Sequence, residues 1–471
     1  MIFASLHFVY LYLPLFLLIY FLSSNIKWRN AVLLLFSLVF YSWGEPKLLI
    51  LILICSFVCY LAGLFMHATQ NTRKRRIYLT ISTSVVLGML AFFKYWAFLV
   101  GNINYVLKTQ FPLWEIALPL GISFYTFQAL TYVIDVYRHE VRVQKSFSKF
   151  LLYISMFPQL VAGPIVTYSH VAEQIDRRVV SPDKFAKGVV RFVTGLGKKV
   201  IIANTLGELS SLLIEGENLY KTSVVGAWVG IFSYALQIYY DFSAYSDMAV
   251  GLGSMLGFDY PENFDYPYIS SSVTEFWRRW HITLGSFFRD YVYIPLGGNR
   301  KHQFFNLFLV WFLTGLWHGA SWNFALWGLY FFVFLYIEKK FLLRVFKRVK
   351  IIGWIFTSFV VLMGWVIFYY TDTSSLTYMF KVLFGFSDRP VNDLFINLTI
   401  NEYFYLLMAA SVGCMPIARV VKRGLNNMYN SGRVKMEFAF IATCIFVLLV
   451  LFTSSAMLVA KSYNPFLYFR F

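Results

Sequence analysis

Apolar residues run along this chain in long blocks, and short polar segments separate the blocks. A block of about 20 mostly apolar residues is long enough to cross a bilayer as a helix. The pattern predicts an all-α polytopic membrane protein with about 11 crossings, plus helices that re-enter the bilayer or lie at its interface. We expect one membrane domain over residues 1–471. The candidate blocks are 7–22, 30–43, 47–68, 77–100, 117–134, 147–166, 186–213, 224–256, 304–320, 321–338, 351–371, 403–418 and 437–460.

Two segments depart from a simple crossing. Block 147–166 contains Pro158 and Pro164, and a proline inside a helix removes a hydrogen bond and kinks or ends the helix. Residues 173–199 are basic and amphipathic, which is typical of a helix lying along the membrane surface. We therefore do not expect the first segment to be a simple crossing, and we expect the second to lie along the cytoplasmic interface.

The charges of the loops predict the orientation of the chain. Cytoplasmic loops of membrane proteins carry an excess of Lys and Arg. The loop 372–402 is more acidic than basic, and the loop after the second block holds only Glu45 and Lys47. The N-terminus and the tail from Lys461 to Phe471 are therefore predicted to lie outside the cytoplasm. The basic loop positions are Lys27, Arg29, Arg73, Lys74, Arg75, Arg76, 339–350 and 419–435.

Composition supports the membrane assignment and excludes some functions. Of the 471 residues, 59% are hydrophobic and only 14% are charged, against about 25% charged in soluble domains. The net charge of +18 comes from short loops, so we expect contact with membrane lipid and no nucleic-acid partner. The four cysteines show no C-x-x-C spacing, which argues against a metal or redox site.

Two histidines occupy very different settings in the second half of the chain. His281 lies in EFWRRWHITLGSFFRDYVYIPLGGNRK, residues 275–301, where charged and aromatic side chains alternate. Between Phe304 and Ile337, His318 is the one group that ionises near neutral pH. A charged side chain at the centre of a membrane helix costs about 2.5 kcal/mol or more, so such groups mark functional sites. Because histidine takes and returns protons near neutral pH, the pair predicts proton transfer within the bilayer.

The sequence leaves a purely structural interpretation open for each of these features. His318 lies close to Gly315 and Gly319, which allow a substrate or a neighbouring helix to approach closely. Glu275 and Arg279 are four residues apart with the acid first, as in a helical ion pair. The arginines of this segment can therefore hold a re-entrant helix instead of a substrate.

A third polar cluster interrupts the apolar block 224–256. Asp241 and Tyr245 are four residues apart and share a helix face, and Asp247 follows. These groups either orient a substrate or form structural ion pairs, and we favour the ion pairs. The candidate ion-pair partners are Arg278, Arg279 and Arg289.

Five stretches of the chain together resemble the membrane-bound O-acyltransferase superfamily, and within it the bacterial branch of the alginate O-acetyltransferase type. The resemblance implies helices arranged around a central tunnel that both histidines reach. His318 matches the buried histidine of the family. His281 matches a second polar position, which is asparagine in many eukaryotic members, and this difference argues against sterol or diacylglycerol acylation. The stretches are PLGISFYTFQALTYVIDVYR (119–138), FPQLVAGPI (157–165), YYDFSAYSDMAVGLG (239–253), 262–301 and GLWHGASWNFALWG (315–328).

The resemblance also implies a mechanism. A cytoplasmic thioester, acetyl-CoA or an acyl carrier thioester, would act as donor substrate, with no tightly bound cofactor and no metal. His318 would act as general base on the acceptor hydroxyl, and His281, with Arg278 or Asn323, would position the acyl carbonyl or stabilise the oxyanion. The remaining candidate substrate-binding residues are Arg279, Trp317, Asp241 and Tyr245.

The same resemblance implies a location and partners. We expect a multi-pass protein of the bacterial inner membrane. Its acceptor would be an extracytoplasmic polysaccharide such as an alginate-type polymer, cellulose or peptidoglycan. A separate extracytoplasmic acetyltransferase of the SGNH type would relay the acetyl group to that polymer.

Two other functions remain open at this point. One is transfer of D-alanine from a carrier protein to teichoic acid, by a related branch with a similar histidine pair. The other is a proton-coupled transporter, but such proteins commonly carry inverted repeats, which the sequence lacks. The chain also lacks the G-x-S-x-G, H-E-x-x-H, Walker A and G-x-G-x-x-G patterns, so neither a serine hydrolase nor an ATP-driven pump is indicated.

Overall fold

In the part that the structure describes, the protein consists of helices joined by loops. The computed structural model describes residues 1–44, 46–114, 116–161, 163–417, 419–421, 423–424, 436–461, 463–465 and 467, and none of these residues lies in a β-strand. The all-α prediction is confirmed. The α-helices are α1 (Leu13–Phe21), α2 (Ile26–Ser42), α3 (Leu49–Ala68), α4 (Thr72–Leu107), α5 (Ile122–Arg138), α6 (Phe147–Ser155), α7 (Phe157–Leu160), α8 (Tyr168–Asp176), α9 (Pro182–Gly197), α10 (Asn204–Ile214), α11 (Val224–Met255), α12 (Val273–Arg279), α13 (Ile282–Phe288), α14 (Gln303–His318), α15 (Trp322–Ile337), α16 (Leu343–Arg348), α17 (Lys350–Tyr369), α18 (Thr373–Leu383), α19 (Leu394–Gly413) and α20 (Met436–Ala460).

Two segments singled out in the sequence can be compared directly with the structure. Block 147–166 is not one continuous helix, because α6 ends at Ser155 and the short α7 begins at Phe157, next to Pro158. The position of residues 173–199 along the cytoplasmic interface stays a prediction. The chain forms α8 and α9 there, and α9 begins at Pro182, since a proline is well placed in the first turn of a helix and poorly placed inside one.

Four helical stretches in the described ranges are long and apolar enough to cross a membrane: Pro46–Ala68, Thr72–Leu107, Lys350–Tyr369 and Glu437–Ala460. Other predicted crossings correspond to shorter helices, such as α14 and α15. The total number of crossings therefore stays a prediction. Several positions used to predict the orientation lie outside the described residues: Glu45, Lys422, residues 425–435 of the basic loop, and residues 462, 466 and 468–471 of the tail.

Contacts divide the chain into two compact units. The first unit comprises Met1–Phe192 and Ser246–Glu262, and the second comprises Val193–Tyr245 and Asn263–Phe471. All eight candidate site residues belong to the second unit. The single-domain description made from sequence stays a prediction.

Aromatic packing builds much of the core of the first unit. The Phe157 ring lies 5.2 Å from that of Phe16 and 5.6 Å from that of Phe40, and all three side chains are fully buried. Ring pairs at such distances contribute about 0.5–1.5 kcal/mol beyond their buried area. The buried guanidinium of Arg178 donates to the hydroxyl of Tyr20 (3.0 Å) and to the side chain of Asn30 (2.7 Å). Helices α1, α2 and the α8–α9 segment are thereby joined.

A close-packed hairpin of α14 and α15 dominates the second unit near His318. A Cβ atom on Gly315 would lie 2.3 Å from the carbonyl oxygen of Phe324, and one on Gly328 would lie 2.2 Å from that of Trp311. Real Cβ atoms do not approach so closely, so only glycine allows the two backbones to touch at these points. The hairpin therefore holds the end of α14, and with it His318, at a fixed distance from α15.

Candidate active site

The start of α12 is tied to the end of α15 by a buried carboxylate. Glu338, which is 0% exposed, accepts hydrogen bonds from the backbone N–H groups of Val273 (2.5 Å) and Thr274 (3.0 Å). Ser272 adds a side-chain cap that accepts from the N–H of Glu275 (3.0 Å). Free N–H groups and the helix dipole favour acceptors and negative charge at this end of a helix. Glu338 thus fixes where α12 begins.

His281 lies at the junction of α12 and α13 in an unusual backbone conformation. Its φ of 45° is in the left-handed region, which costs a non-glycine residue roughly 1–2 kcal/mol. Two backbone hydrogen bonds hold the junction: Asp265 N–H donates to Arg279 (2.9 Å), and Ile282 N–H donates to Asn263 (2.9 Å). Strained residues of this kind cluster at functional sites, where the surroundings enforce them.

The His281 imidazole is buried among polar and aromatic groups. Its Nδ1 lies 3.1 Å from Oδ1 of Asn263, which also accepts from the N–H (3.2 Å) and hydroxyl (2.9 Å) of Thr283. The rings of Phe242 and Trp317 lie 4.7 Å and 5.8 Å away. His281 lies between the candidate spans, and burial lowers the pKa of its imidazole to about 3. The side chain is therefore neutral at physiological pH.

His318 ends α14 and is half-buried. Aromatic rings surround its imidazole: Trp317 at 4.9 Å, Trp327 at 4.9 Å and Phe368 at 5.2 Å between ring centroids. The helix stops here because Gly319 adopts an extended conformation. Four residues after His318, Trp322 would share its face on a continuous helix, but the helix does not continue, so Trp322 begins α15 instead and is 62% exposed.

Both histidines line one cavity within the second unit. The cavity has a volume of about 310 Å³, which is the size of a small-molecule site. Trp317, which is 3% exposed, contacts both imidazole rings. The lining residues are Thr274, Trp277, Arg278, Trp280, His281, Leu284, Gly285, Phe288, Arg289, Tyr293, Asn299, Leu307, Val310, Trp311, Thr314, His318, Leu335 and Lys339.

Three cations and no carboxylate line this cavity. Arg278 and Arg289 are exposed and Lys339 is half-buried. Arg289 pairs with Asp290 at 2.7 Å, whereas Arg278 and Lys339 form no ion pair with a carboxylate in the described part of the chain. Burial and the nearby Arg278 cation lower the pKa of Lys339, and the Glu338 carboxylate partly opposes this shift. Two like charges kept close together, neither in an ion pair with a described carboxylate, are suited to an anionic ligand.

Five predicted site residues lie in the second unit but do not line the cavity, and Arg279, Trp317 and Asn323 are three of them. Arg279 forms the predicted ion pair with Glu275 at 2.8 Å, and a second one with Asp265 at 3.5 Å. The Trp317 ring lies beside both histidines. Asn323 is buried, and its amide donates to the carbonyl of Ile367 (3.4 Å).

The third polar cluster has partners other than the predicted arginines. Asp241 pairs with Lys199 at 2.7 Å, and both side chains are buried. The backbone N–H of Leu467 donates to the same carboxylate (2.9 Å). Asp247, in the first unit, pairs with Arg191 (2.9 Å), and Tyr245 is buried. The ion pairs predicted with Arg278, Arg279 or Arg289 are therefore wrong.

Sequence reasoning missed three residues around the histidines. Asn263, Glu338 and Lys339 each act on residues that are distant along the chain. For Asn263 no sequence pattern could have shown the contact with His281, because it lies in a segment without regular structure. For Lys339 a signal existed, since it follows directly on the apolar block that ends at residue 338.

The fold and the site together define a class of protein: a helical membrane protein in which two histidines line one cavity. The model of MBOAT, the membrane-bound O-acyltransferase family, matches residues 35–380, and the chain belongs to this family. The protein is therefore a multi-pass membrane O-acyltransferase.

Individual relatives extend this assignment. The chain is 37% identical to "Probable alginate O-acetylase AlgI" of Pseudomonas putida, covering 100% of both chains. It is 30% identical to "Peptidoglycan O-acetyltransferase" of Helicobacter pylori, covering 98% of this chain and 96% of the relative. It is also 26% identical to "Teichoic acid D-alanyltransferase" of Bacillus subtilis, over 45% of this chain and 56% of the relative.

Proposed function

We propose that this protein moves an acetyl group from a cytoplasmic thioester donor, acetyl-CoA, across the membrane to a hydroxyl acceptor, for O-acetylation of an extracytoplasmic polysaccharide. The observation that carries the proposal is the single cavity lined by His281, His318 and three cations. The full-length similarity to the alginate and peptidoglycan acetylating relatives supports acetyl as the acyl group and a polysaccharide as the final acceptor.

The reaction needs one proton transfer. The acceptor oxygen attacks the thioester carbonyl carbon, a C–O bond forms, the C–S bond breaks, and the hydroxyl proton ends on the departing thiolate. His318 carries that proton, because it is only half-buried and its charged form is less costly than that of fully buried His281. Aromatic walls around His318 exclude water and so limit hydrolysis of the thioester.

The cations of the cavity support coenzyme A as the carrier of the acyl group, because they can bind its phosphates. Coenzyme A carries three phosphate groups beyond its pantetheine arm, and Arg and Lys without carboxylate partners are the usual protein ligands of phosphate. Arg278 and Lys339 have that property here, and Arg289 adds a third charge. Lys339 also begins the basic segment 339–350, which the loop charges assign to the cytoplasm. The donor therefore enters from the cytoplasmic side.

The rest of the proposal concerns location and orientation. The protein resides in the bacterial inner membrane, and the loop charges favour an N-terminus outside the cytoplasm. The acceptor approaches from the outer face. A separate extracytoplasmic acetyltransferase then passes the acetyl group to the polymer.

Polymer-linked acetate in intact cells tests the proposal. His318→Ala should reduce it by about a hundredfold or more, the scale of general base catalysis, at an unchanged level of membrane protein. His67→Ala is the matched control, because His67 is an exposed histidine at the end of α3, far from the cavity in sequence. Acetate at the wild-type level in His318→Ala would overturn the assignment. Loss of polymer-linked D-alanine instead of acetate would replace acetyl by D-alanyl transfer, as in the Bacillus relative.

A further inference from the structure

The hydrogen bonds around Asn263 determine which nitrogen of His281 carries a proton. The backbone N–H of Thr283 is always a donor, so the atom that it contacts on Asn263 at 3.2 Å must be the amide oxygen. The same oxygen lies 3.1 Å from Nδ1 of His281. Because an oxygen without a proton can only accept, Nδ1 must donate. The neutral ring then carries its proton on Nδ1 and none on Nε2.

The other nitrogen of the ring has an unmet hydrogen bond. Nε2 of His281 is buried and has no hydrogen-bond partner in the described part of the chain. His281 is 2% exposed and Asn263 is 1% exposed, so both side chains are shielded from bulk solvent. A buried acceptor without a partner is unfavourable, and in a residue that lines a cavity it points to a hydrogen-bond donor on the ligand.

The charged groups near His281 do not compete for this position. Asp241 lies directly before Phe242 in α11, whose Phe242 ring packs against His281, and Asp241 pairs with Lys199. Asp265 pairs with Arg279. No carboxylate among the described residues hydrogen-bonds to the ring. The titratable groups that line the cavity with it are Arg278, Arg289, Tyr293, His318 and Lys339.

We propose that Asn263 is a positioning residue that holds His281 as the neutral Nδ1–H tautomer, so that Nε2 accepts a hydrogen bond from an amide N–H of the pantetheine arm of the thioester donor. This inference rests on the proposed acyl transfer and deepens it. It also changes the role that the sequence suggests for His281, because a bare Nε2 cannot donate a hydrogen bond to an oxyanion. His281 orients the thioester donor, and the single proton of the attacking hydroxyl goes to His318.

The tautomer can be observed directly and without catalysis. The chain has seven histidines, and the ¹⁵N spectrum of histidine-labelled protein in lipid nanodiscs distinguishes the two neutral tautomers. The signals of His281 are those lost in His281→Asn, a substitution chosen because asparagine tolerates the left-handed backbone. We expect a protonated Nδ1 and an unprotonated Nε2 in the wild type. A protonated Nε2 would overturn the proposal.

Variants of Asn263 test the functional consequence through polymer-linked acetate in intact cells at equal protein level. Asn263→Leu frees the tautomer, and acetate should fall about tenfold or more. Asn263→Asp keeps the acceptor oxygen and should retain more acetate than Asn263→Leu, with the Nδ1–H signal preserved. Asn392→Leu is the matched control, because Asn392 is an exposed asparagine that does not line the cavity, and its acetate should stay near the wild-type level.

The outcomes separate this inference from the proposed function. Wild-type acetate in Asn263→Leu would overturn the positioning role, while loss of acetate in His318→Ala would leave the acyltransferase proposal intact. Wild-type acetate in His318→Ala would instead overturn the proposed function, whatever the tautomer of His281. If Asn263→Leu fails to accumulate, Asn263→Asp and the wild-type ¹⁵N spectrum still decide the inference.

Discussion

At the residue scale, the chemistry of the site depends on two cations that form no ion pair with a described carboxylate. Arg278 and Lys339 lie close enough for one cation to lower the pKa of the other, and neither pairs with a described carboxylate. Such an arrangement is unfavourable in the empty protein and becomes favourable when an anion binds. Ligand binding therefore relieves a repulsion that the fold maintains.

This repulsion leads to a prediction about coenzyme A. Arg278→Ala combined with Lys339→Ala should raise the dissociation constant for coenzyme A about tenfold or more, because two charge-assisted hydrogen bonds are lost. Binding of pantetheine, which has no phosphate, should not change. Isothermal titration calorimetry on the purified protein measures both values.

Lys340→Ala serves as the control for that double substitution. Lys340 is the exposed neighbour of Lys339 and does not line the cavity, so its loss should leave coenzyme A binding unchanged. An equal weakening of coenzyme A and pantetheine in the double variant would show that the cations shape the cavity and do not bind phosphate.

Residues also mark the limit of what the sequence could predict. His318 and His281 stand out because an ionisable group in an apolar run needs a reason. The Glu275–Arg279 pair follows from helix geometry alone. The sequence predicts the wrong cation for Asp241, because Arg278, Arg279 and Arg289 form a basic cluster near it in sequence, whereas its partner Lys199 lies inside another apolar block. Pairings between distant helices depend on tertiary packing, which periodicity does not encode.

At the element scale, the hairpin of α14 and α15 determines where His318 can lie. The two helices touch through Gly315 and Gly328, and α14 ends at the histidine itself. The sequence predicted both helices correctly from their apolar blocks. It could not predict their close approach, because a glycine in a helix is equally consistent with a packing contact, a hinge or an exposed position.

Gly328→Ala should separate the hairpin and impair transfer. The added Cβ would lie 2.2 Å from the carbonyl oxygen of Trp311, and relief of such overpacking typically costs about 1–3 kcal/mol. We expect a lower midpoint of thermal unfolding and reduced polymer-linked acetate. Gly88→Ala is the matched control: Gly88 is an exposed helical glycine with nothing within 4 Å of the new Cβ, so its stability should be unchanged or slightly higher. Equal behaviour of the two variants would show that the hairpin can relax.

At the scale of the whole molecule, a buried ion pair links three distant parts of the second unit. Lys199 and Asp241 pair at 2.7 Å, and Lys199 also donates to Asn204 (2.8 Å) and to the carbonyl of Pro465. The backbone N–H of Leu467 completes the carboxylate's contacts. The chain tail is thus held by charged groups in the interior, and not only by apolar contact.

Removing one member of this ion pair should lower the free energy of unfolding more than removing both. Asp241→Leu or Lys199→Met alone leaves a buried charge without its partner and should destabilise the protein by about 3–5 kcal/mol. The double variant should recover a large part of that loss, because two apolar groups replace two paired charges. Chemical denaturation in detergent measures the three values. Additive losses would indicate that the two charges do not depend on each other.

The docking of the tail has a practical consequence for experiments on orientation. Reporter enzymes fused after successive truncations are a common way to assign loops to one side of a membrane. Here any fusion placed before Leu467 removes contacts that Lys199 and Asp241 make with the tail, so the reporter would sit on an altered helix bundle. Single cysteines labelled with an impermeant reagent leave the tail in place, once Cys444, the exposed one of the four native cysteines, has been replaced.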